Sequence, residues 1–94
     1  MKHYIIAKWN EGVDKAAQLA PVKEIFQGVL EVPGVHGVTV KPCCIDRANR
    51  YDLMIEIDMD KDALGVYDGC AAHKKWKETY GAMLSAKTIF DSED

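Results

Sequence analysis

No apolar run in this sequence approaches the ~20 residues that a bilayer span requires, so no membrane-crossing helix is expected. The opening MKHYIIAKW lacks both the long apolar core and the small-residue cleavage site of a secretory leader. Cysteine is scarce, with three residues: Cys43, Cys44 and Cys70. An odd number argues against a disulfide framework, and adjacent cysteines are badly placed for a mutual bridge. Reduced thiols in a cytoplasmic protein are the expectation. Positive charge is not in excess either. Twelve Lys and Arg against fifteen Asp and Glu leave −3, which offers no basic field to a nucleic acid. No phosphate loop, serine elbow or dinucleotide fingerprint occurs, and no cofactor is expected. Repeats and low-complexity runs are also missing, so the 94 residues are expected to form one domain, 1–94.

What is present is a core-forming pattern, 48% hydrophobic with 29% charged residues, in the range of folded soluble domains. Residues 2–9, KHYIIAKW, predict a strand with His3, Ile5, Ala7 and Trp9 on one face and Tyr4, Ile6 and Lys8 on the other. Residues 13–20 are weakly helical, and Pro21 suits a first helical position. Val22, Ile25, Phe26, Val29 and Leu30 then follow helical spacing until Pro33-Gly34 ends the helix. A second strand is expected over 35–42, a loop over 43–50, and a third strand over 51–58. There Tyr51, Leu53, Ile55 and Ile57 alternate with Asp52, Met54, Glu56 and Asp58. Asp60 is the expected N-cap of a short helix carrying Ala63, Leu64 and Tyr67, closed by Gly69 through a positive φ. His73, Trp76, Lys77, Tyr80 and Leu84 form one stripe of a further helical segment, before a strand at 86–91.

The order β-α-β-β-α-β predicts an α+β, ferredoxin-like fold: a four-stranded antiparallel sheet with its helices on one face. The other face, assigned Tyr4, Ile6, Val38, Val40 and Met54, is too apolar for open solvent. A partner sheet would cover it in a homodimer with isologous contacts. A domain of this size buries only about 60–65% of its unfolded surface, so association would also add stability.

Tyr67 and His73 lie six positions apart, a gap that puts two helical side chains on different faces. A break at Gly69 would let both turn toward the sheet face bearing His3, Ile5, Leu53 and Ile55. An imidazole of pKa about 6.5 can accept a proton near neutrality, and a phenol of about 10 stays protonated and can donate to an enolate oxygen. His73 is thus a candidate base and Tyr67 a candidate donor. The plainer reading has His73 satisfying a carbonyl at a helix start. His3 is either a pocket residue or a hydrogen-bonded core histidine, and His36 is expected to have no role. Ile5, Ala7, Phe26, Leu53, Ile55, Trp76, Tyr80 and Leu84 suit either an apolar pocket wall or ordinary core. Cys70-x-x-His73 lacks the ligand number zinc requires, and no metal is expected. Asp52, Glu56 and Asp58 read as solvated or interface charges.

Taken in order, KHYIIAKW, LEVPGVHGV, RYDLMIEID, DALGVYDGCAAHKKWKETY and KTIFD resemble the stress-responsive dimeric α/β-barrel (Dabb) family across Lys2 to about Asp91. The resemblance implies a ferredoxin-like sheet whose dimer closes a barrel. Some similar members are plant stress proteins and a few are polyketide cyclases. In those cyclases residues matching Tyr67 and His73 hold the carbonyl and act as base, and one matching His3 lines the pocket. Two departures stand out. Leu53 occupies the place of a third-strand histidine, and Cys70-Ala71-Ala72-His73 replaces a His-Pro-Ala-His run. The leading expectation is a homodimer that binds a small carbonyl or polyketide-like compound and performs cofactor-free cyclase- or lyase-like chemistry. The alternative is a non-catalytic, stress-related module that binds a ligand or partner. A cofactor-independent oxygenase is a third reading, on fold analogy alone.

Overall fold

Alternation in Lys2–Trp9 decides where the first strand, β1, lies. His3, Ile5, Ala7 and Trp9 are buried while the residues between them are only half-buried, which suits a central strand with one fully covered face. The computed structural model describes residues 1–93; Asp94, the last residue of the expected 1–94 domain, lies outside them. After β1 come α1 (Lys15–Gln27), a 3₁₀ turn at Gly28–Glu31, β2 (Val35–Pro42) and β3 (Leu53–Met59). A 3₁₀ turn at Lys61–Ala63 then leads into α2 (Leu64–Asp68), α3 (Ala71–Tyr80), another turn at Gly81–Met83 and β4 (Leu84–Ser92). The sheet order is β2-β3-β1-β4 with every pair antiparallel, the ferredoxin-like arrangement the sequence predicts.

The helices cover one sheet face. Ile5, Ala7, Ile55 and Ile57 meet Val22, Phe26 and Val29 from the α1 side and Trp76 and Tyr80 from α3. The two helices approach closely where Gly28 faces Ala72: a Cβ on Gly28 would sit 3.1 Å from that of Ala72. This small-residue contact lets large aromatics fill the layer beneath. Trp76 stacks edge-on against Phe26, with centroids 5.3 Å apart, and lies 5.6 Å from Tyr80.

Several expectations need correction. α1 starts at Lys15, not Pro21, because Asp14 caps it by accepting a hydrogen bond from the Ala17 N–H at 3.2 Å. Pro21 lies inside the helix on its exposed side, where it removes one backbone bond without burying its ring. Asp60 precedes the 3₁₀ turn without a side-chain cap bond; its carboxylate instead pairs with His36 Nε2 at 2.9 Å. Gly69 ends α2 with φ −97°, not a positive φ. The break comes from Cys70, whose extended backbone (ψ 159°) begins a new helix axis. Leu84 does not extend the α3 stripe, because the helix closes at Tyr80 and Leu84 opens β4.

Val38 and Val40 belong to the covered face. They sit opposite Ile57 and Ile55 and pack on the core. A register shift between Val35 and Gly37 changes the parity of β2, as a bulge does. The uncovered face carries Tyr4, Ile6 and Met54 as expected, and also Phe90, which faces Tyr4 across β1 and β4 with ring centroids 6.1 Å apart.

Gly34 joins the 3₁₀ turn to β2 with φ +89°, and a Cβ there would lie 2.9 Å from that of Ala63. Gly34→Ala is expected to lower stability by roughly 2 kcal/mol or more, from left-handed strain plus overlap. Urea unfolding would measure this, and an unchanged midpoint would contradict it.

Candidate functional site

Antiparallel pairing places His3 of β1 directly opposite Asp91 of β4. Both side chains point to the helix-covered face, and His3 Nδ1 lies 2.5 Å from Asp91 Oδ1. His3 is buried, whereas the Asp91 carboxylate is 39% exposed. With the carboxylate accepting, Nδ1 carries a proton, and Nε2 is an acceptor only in the neutral ring.

Tyr67 descends from α2 onto this pair. Its ring meets the His3 ring edge-on at 5.2 Å. It also packs against the His73 ring, 4.8 Å away and tilted by 38°. The change of axis at Cys70 closes the six-residue gap between Tyr67 and His73. Cys70 also contributes its sulfur, which accepts the His73 backbone N–H at 3.4 Å as an N-cap. The His73 side chain donates from Nδ1 to the Asp68 carbonyl at 2.8 Å. A carbonyl can only accept, so His73 Nδ1 also carries a proton, which leaves Nε2 as the acceptor of the neutral ring.

The Tyr67 hydroxyl is buried and has no hydrogen-bond partner. Burial first, and then the neighbouring Cys70, Asp68 and Asp91, push its pKa well above the ordinary phenol value. It is therefore a neutral donor across the physiological range. The Tyr67 ring thus contacts both histidine rings, while its hydroxyl reaches no acceptor, theirs included. Asp91 was not anticipated. Its role depends on strand register, which the short run KTIFD does not encode.

The remaining candidates are spread out. Ile5, Ala7, Phe26, Ile55 and Trp76 are packed in the interior between sheet and helices. Tyr80 borders a groove of about 710 Å³ between α1 and the α2–α3 segment. Leu53 borders a second cavity of about 630 Å³ at the end of the sheet, beneath the segment that follows β2. Leu84 packs on the core from the start of β4. Neither cavity is lined by His3, Tyr67 or His73. No cluster of three or more His, Cys, Asp or Glu suited to a metal ion occurs among the described residues.

No protein-family model matches the chain, and no curated protein is similar to it. Solved structures are. A dimeric ferredoxin-like protein of unknown function from Thermobifida fusca superposes with a TM-score of 0.80 at 19% identity, covering 95% of this chain and 85% of its own. Another, from Bacteroides fragilis, gives 0.81 at 13% identity with coverage of 99% and 94%. A Dabb family protein from Mesorhizobium loti gives 0.71 at 9% identity with coverage of 99% and 94%. At such identities the likeness establishes the ferredoxin-like fold.

Tyr67→Phe is expected to stabilise the protein by about 1 kcal/mol, since it removes a buried hydroxyl without a partner. A raised phenol pKa means that the native state holds its proton while the unfolded chain releases it above about pH 10. Wild type should thus lose stability from that pH upward more steeply than Tyr67→Phe. A destabilised Tyr67→Phe in denaturant titrations would show that the hydroxyl does have a partner in solution.

Proposed function

We propose that His3, Tyr67 and His73, with Asp91 holding His3, form a cofactor-free acid–base site for a small carbonyl compound of the polyketide-like class. The observation that carries this reading is the partnerless Tyr67 hydroxyl, on a ring that packs against the His3 and His73 rings. A carbonyl oxygen is the chemical complement of that hydroxyl.

In the proposed sequence His73 Nε2 takes a proton α to the carbonyl, and the electron pair moves onto oxygen. Tyr67 donates a hydrogen bond to the resulting enolate without surrendering its proton, as its raised pKa requires. The enolate carbon then attacks a second carbonyl, and the imidazolium returns the proton to the new alkoxide. This is aldol ring closure, balanced in protons and electrons. His3, fixed by Asp91, sets the other wall and orients the substrate. Entry would run past His73 and Asp91, the members of the cluster that reach solvent.

A second reading, a non-catalytic module binding a ligand or partner, is favoured by a different observation: Tyr67 is wholly buried, and the two cavities described above open elsewhere. Under it the cluster is structural.

The protein is further proposed to form a homodimer through its uncovered sheet face. Tyr4, Ile6, Met54 and Phe90 give that face an apolar centre, and Phe90 is 60% exposed in one chain. The similar structures from Thermobifida fusca and Bacteroides fragilis are described as dimeric. Pairing of two copies face to face would bury these side chains and leave Lys41, on the outer strand β2, to the rim.

Two outcomes test these readings. Given a linear poly-β-keto thioester as probe, wild type should form a cyclised product, and His73→Ala and Tyr67→Phe should each lower the rate about 100-fold or more. Undiminished turnover in both variants would overturn the role assignment. Light scattering should give twice the 10.5 kDa of one chain, and Ile6→Asp should return the mass to a single chain. A wild-type mass of one chain at micromolar concentration would refute the dimer.

A further inference from the structure

The cavity at the end of the sheet lies apart from the His3–Tyr67–His73 cluster and carries its own chemistry. Two of the three cysteines, Cys43 and Cys44, line it. Its walls are apolar and come from four parts of the chain: Trp9 from β1, Val13 and Leu19 from the α1 region, Pro42 from β2 and Leu53 from β3. Both thiols are exposed, so a ligand entering the cavity passes within reach of them. At about 630 Å³ the space is of ordinary size for a small-molecule site.

Asp52 and Cys43 are tethered beside it. Asp52 accepts from the Trp9 N–H and from Lys15 Nζ, each at 2.9 Å. The Cys43 N–H donates to the Asp52 carbonyl at 2.8 Å, and its Sγ donates to the Ile45 carbonyl at 3.4 Å. The lining thus holds one ammonium, from Lys15, against the carboxylates of Asp14, Asp46 and Asp52. That balance is negative and disfavours an anionic ligand. Apolar walls, a neutral preference and two thiols select for a neutral electrophile with a hydrocarbon body.

We propose that this cavity captures apolar α,β-unsaturated carbonyl compounds by conjugate addition to Cys43 or Cys44. In that step the deprotonated sulfur forms a bond to the β-carbon. The alkene π pair moves to give an enolate, whose oxygen can accept a hydrogen bond from the Lys15 ammonium. The α-carbon then takes up one proton, matching the one lost by the thiol. No oxidant is consumed and no group leaves. The inference does not rest on the acid–base reading of the other site.

Intact-mass kinetics with a series of neutral vinyl ketones, from methyl vinyl ketone to 1-octen-3-one, would test it. The rate of adduct formation, relative to that of glutathione, should rise about three- to fourfold per added methylene while the tail fits the cavity. It should also saturate with reagent concentration. The Cys43→Ser/Cys44→Ser double variant should lose the fast adduct, and Cys70→Ser should keep it. Leu19→Asp, or Ala16→Trp at the exposed mouth should the first fail to fold, should flatten the dependence on tail length. Iodoacetate should react more slowly than iodoacetamide by a wider margin than it does with glutathione. A rate that follows glutathione along the whole ketone series, or a dominant adduct on Cys70, would overturn the proposal.

Discussion

Trp76 fixes the position of α3, and most of what is distinctive about this molecule follows from that. Its indole is almost wholly buried, with Phe26 of α1 on one side and Tyr80 on the other. Large aromatics of this kind dominate the burial free energy of a small core. Once the indole is seated, α3 has no freedom to rotate about its axis. His73, one turn earlier, is thereby aimed at Tyr67. The close contact of Gly28 with Ala72 completes the restraint, because any larger pair would lift α3 away from α1.

Much of the architecture was legible from periodicity. The alternation in β1 and β3, the helical spacing from Val22 to Phe26 and the interruption before Cys70 all reappear at about the expected places. The failures share a cause: each depended on something beyond one segment's own pattern. The parity of β2 turned on a register shift near His36, which moved Val38 and Val40 under the helices. The start of α1 turned on one hydrogen bond that Asp14 accepts from the Ala17 N–H, which outweighed the appeal of Pro21 as an initiator. Phe90 and Asp91 acquired their meanings from the strand opposite them, Tyr4 in one case and His3 in the other. A residue whose partner is remote in sequence carries no local mark of it.

The cluster around Tyr67 combines well-satisfied and unsatisfied groups within a few ångströms. His3 and His73 are each tethered through Nδ1, one by a carboxylate and one by a carbonyl. Those tethers choose the tautomer and hold the rings still. The Tyr67 hydroxyl has no such tether. Buried polar groups without partners are uncommon because desolvation is not repaid. The local cost is carried by the surrounding aromatic packing. On the acid–base reading proposed above, this unsatisfied donor beside two tethered imidazoles would suit a polar visitor.

β4 is the outermost strand beside β1, and one of its edges pairs with nothing in the sheet order. It runs nine residues, and near its middle Ile89 and Phe90 are exposed on opposite faces. Such a ribbon is a template for unwanted strand addition, by which β-rich proteins polymerise. Lys87 on one flank and Asp91 with Glu93 on the other bracket the apolar pair with charge. Like-charged ends would meet if two of these borders aligned in parallel register, and the repulsion works against fibre growth. Asp91 thus has a second consequence: the carboxylate that steadies a buried imidazole also helps keep this open border from recruiting its own kind.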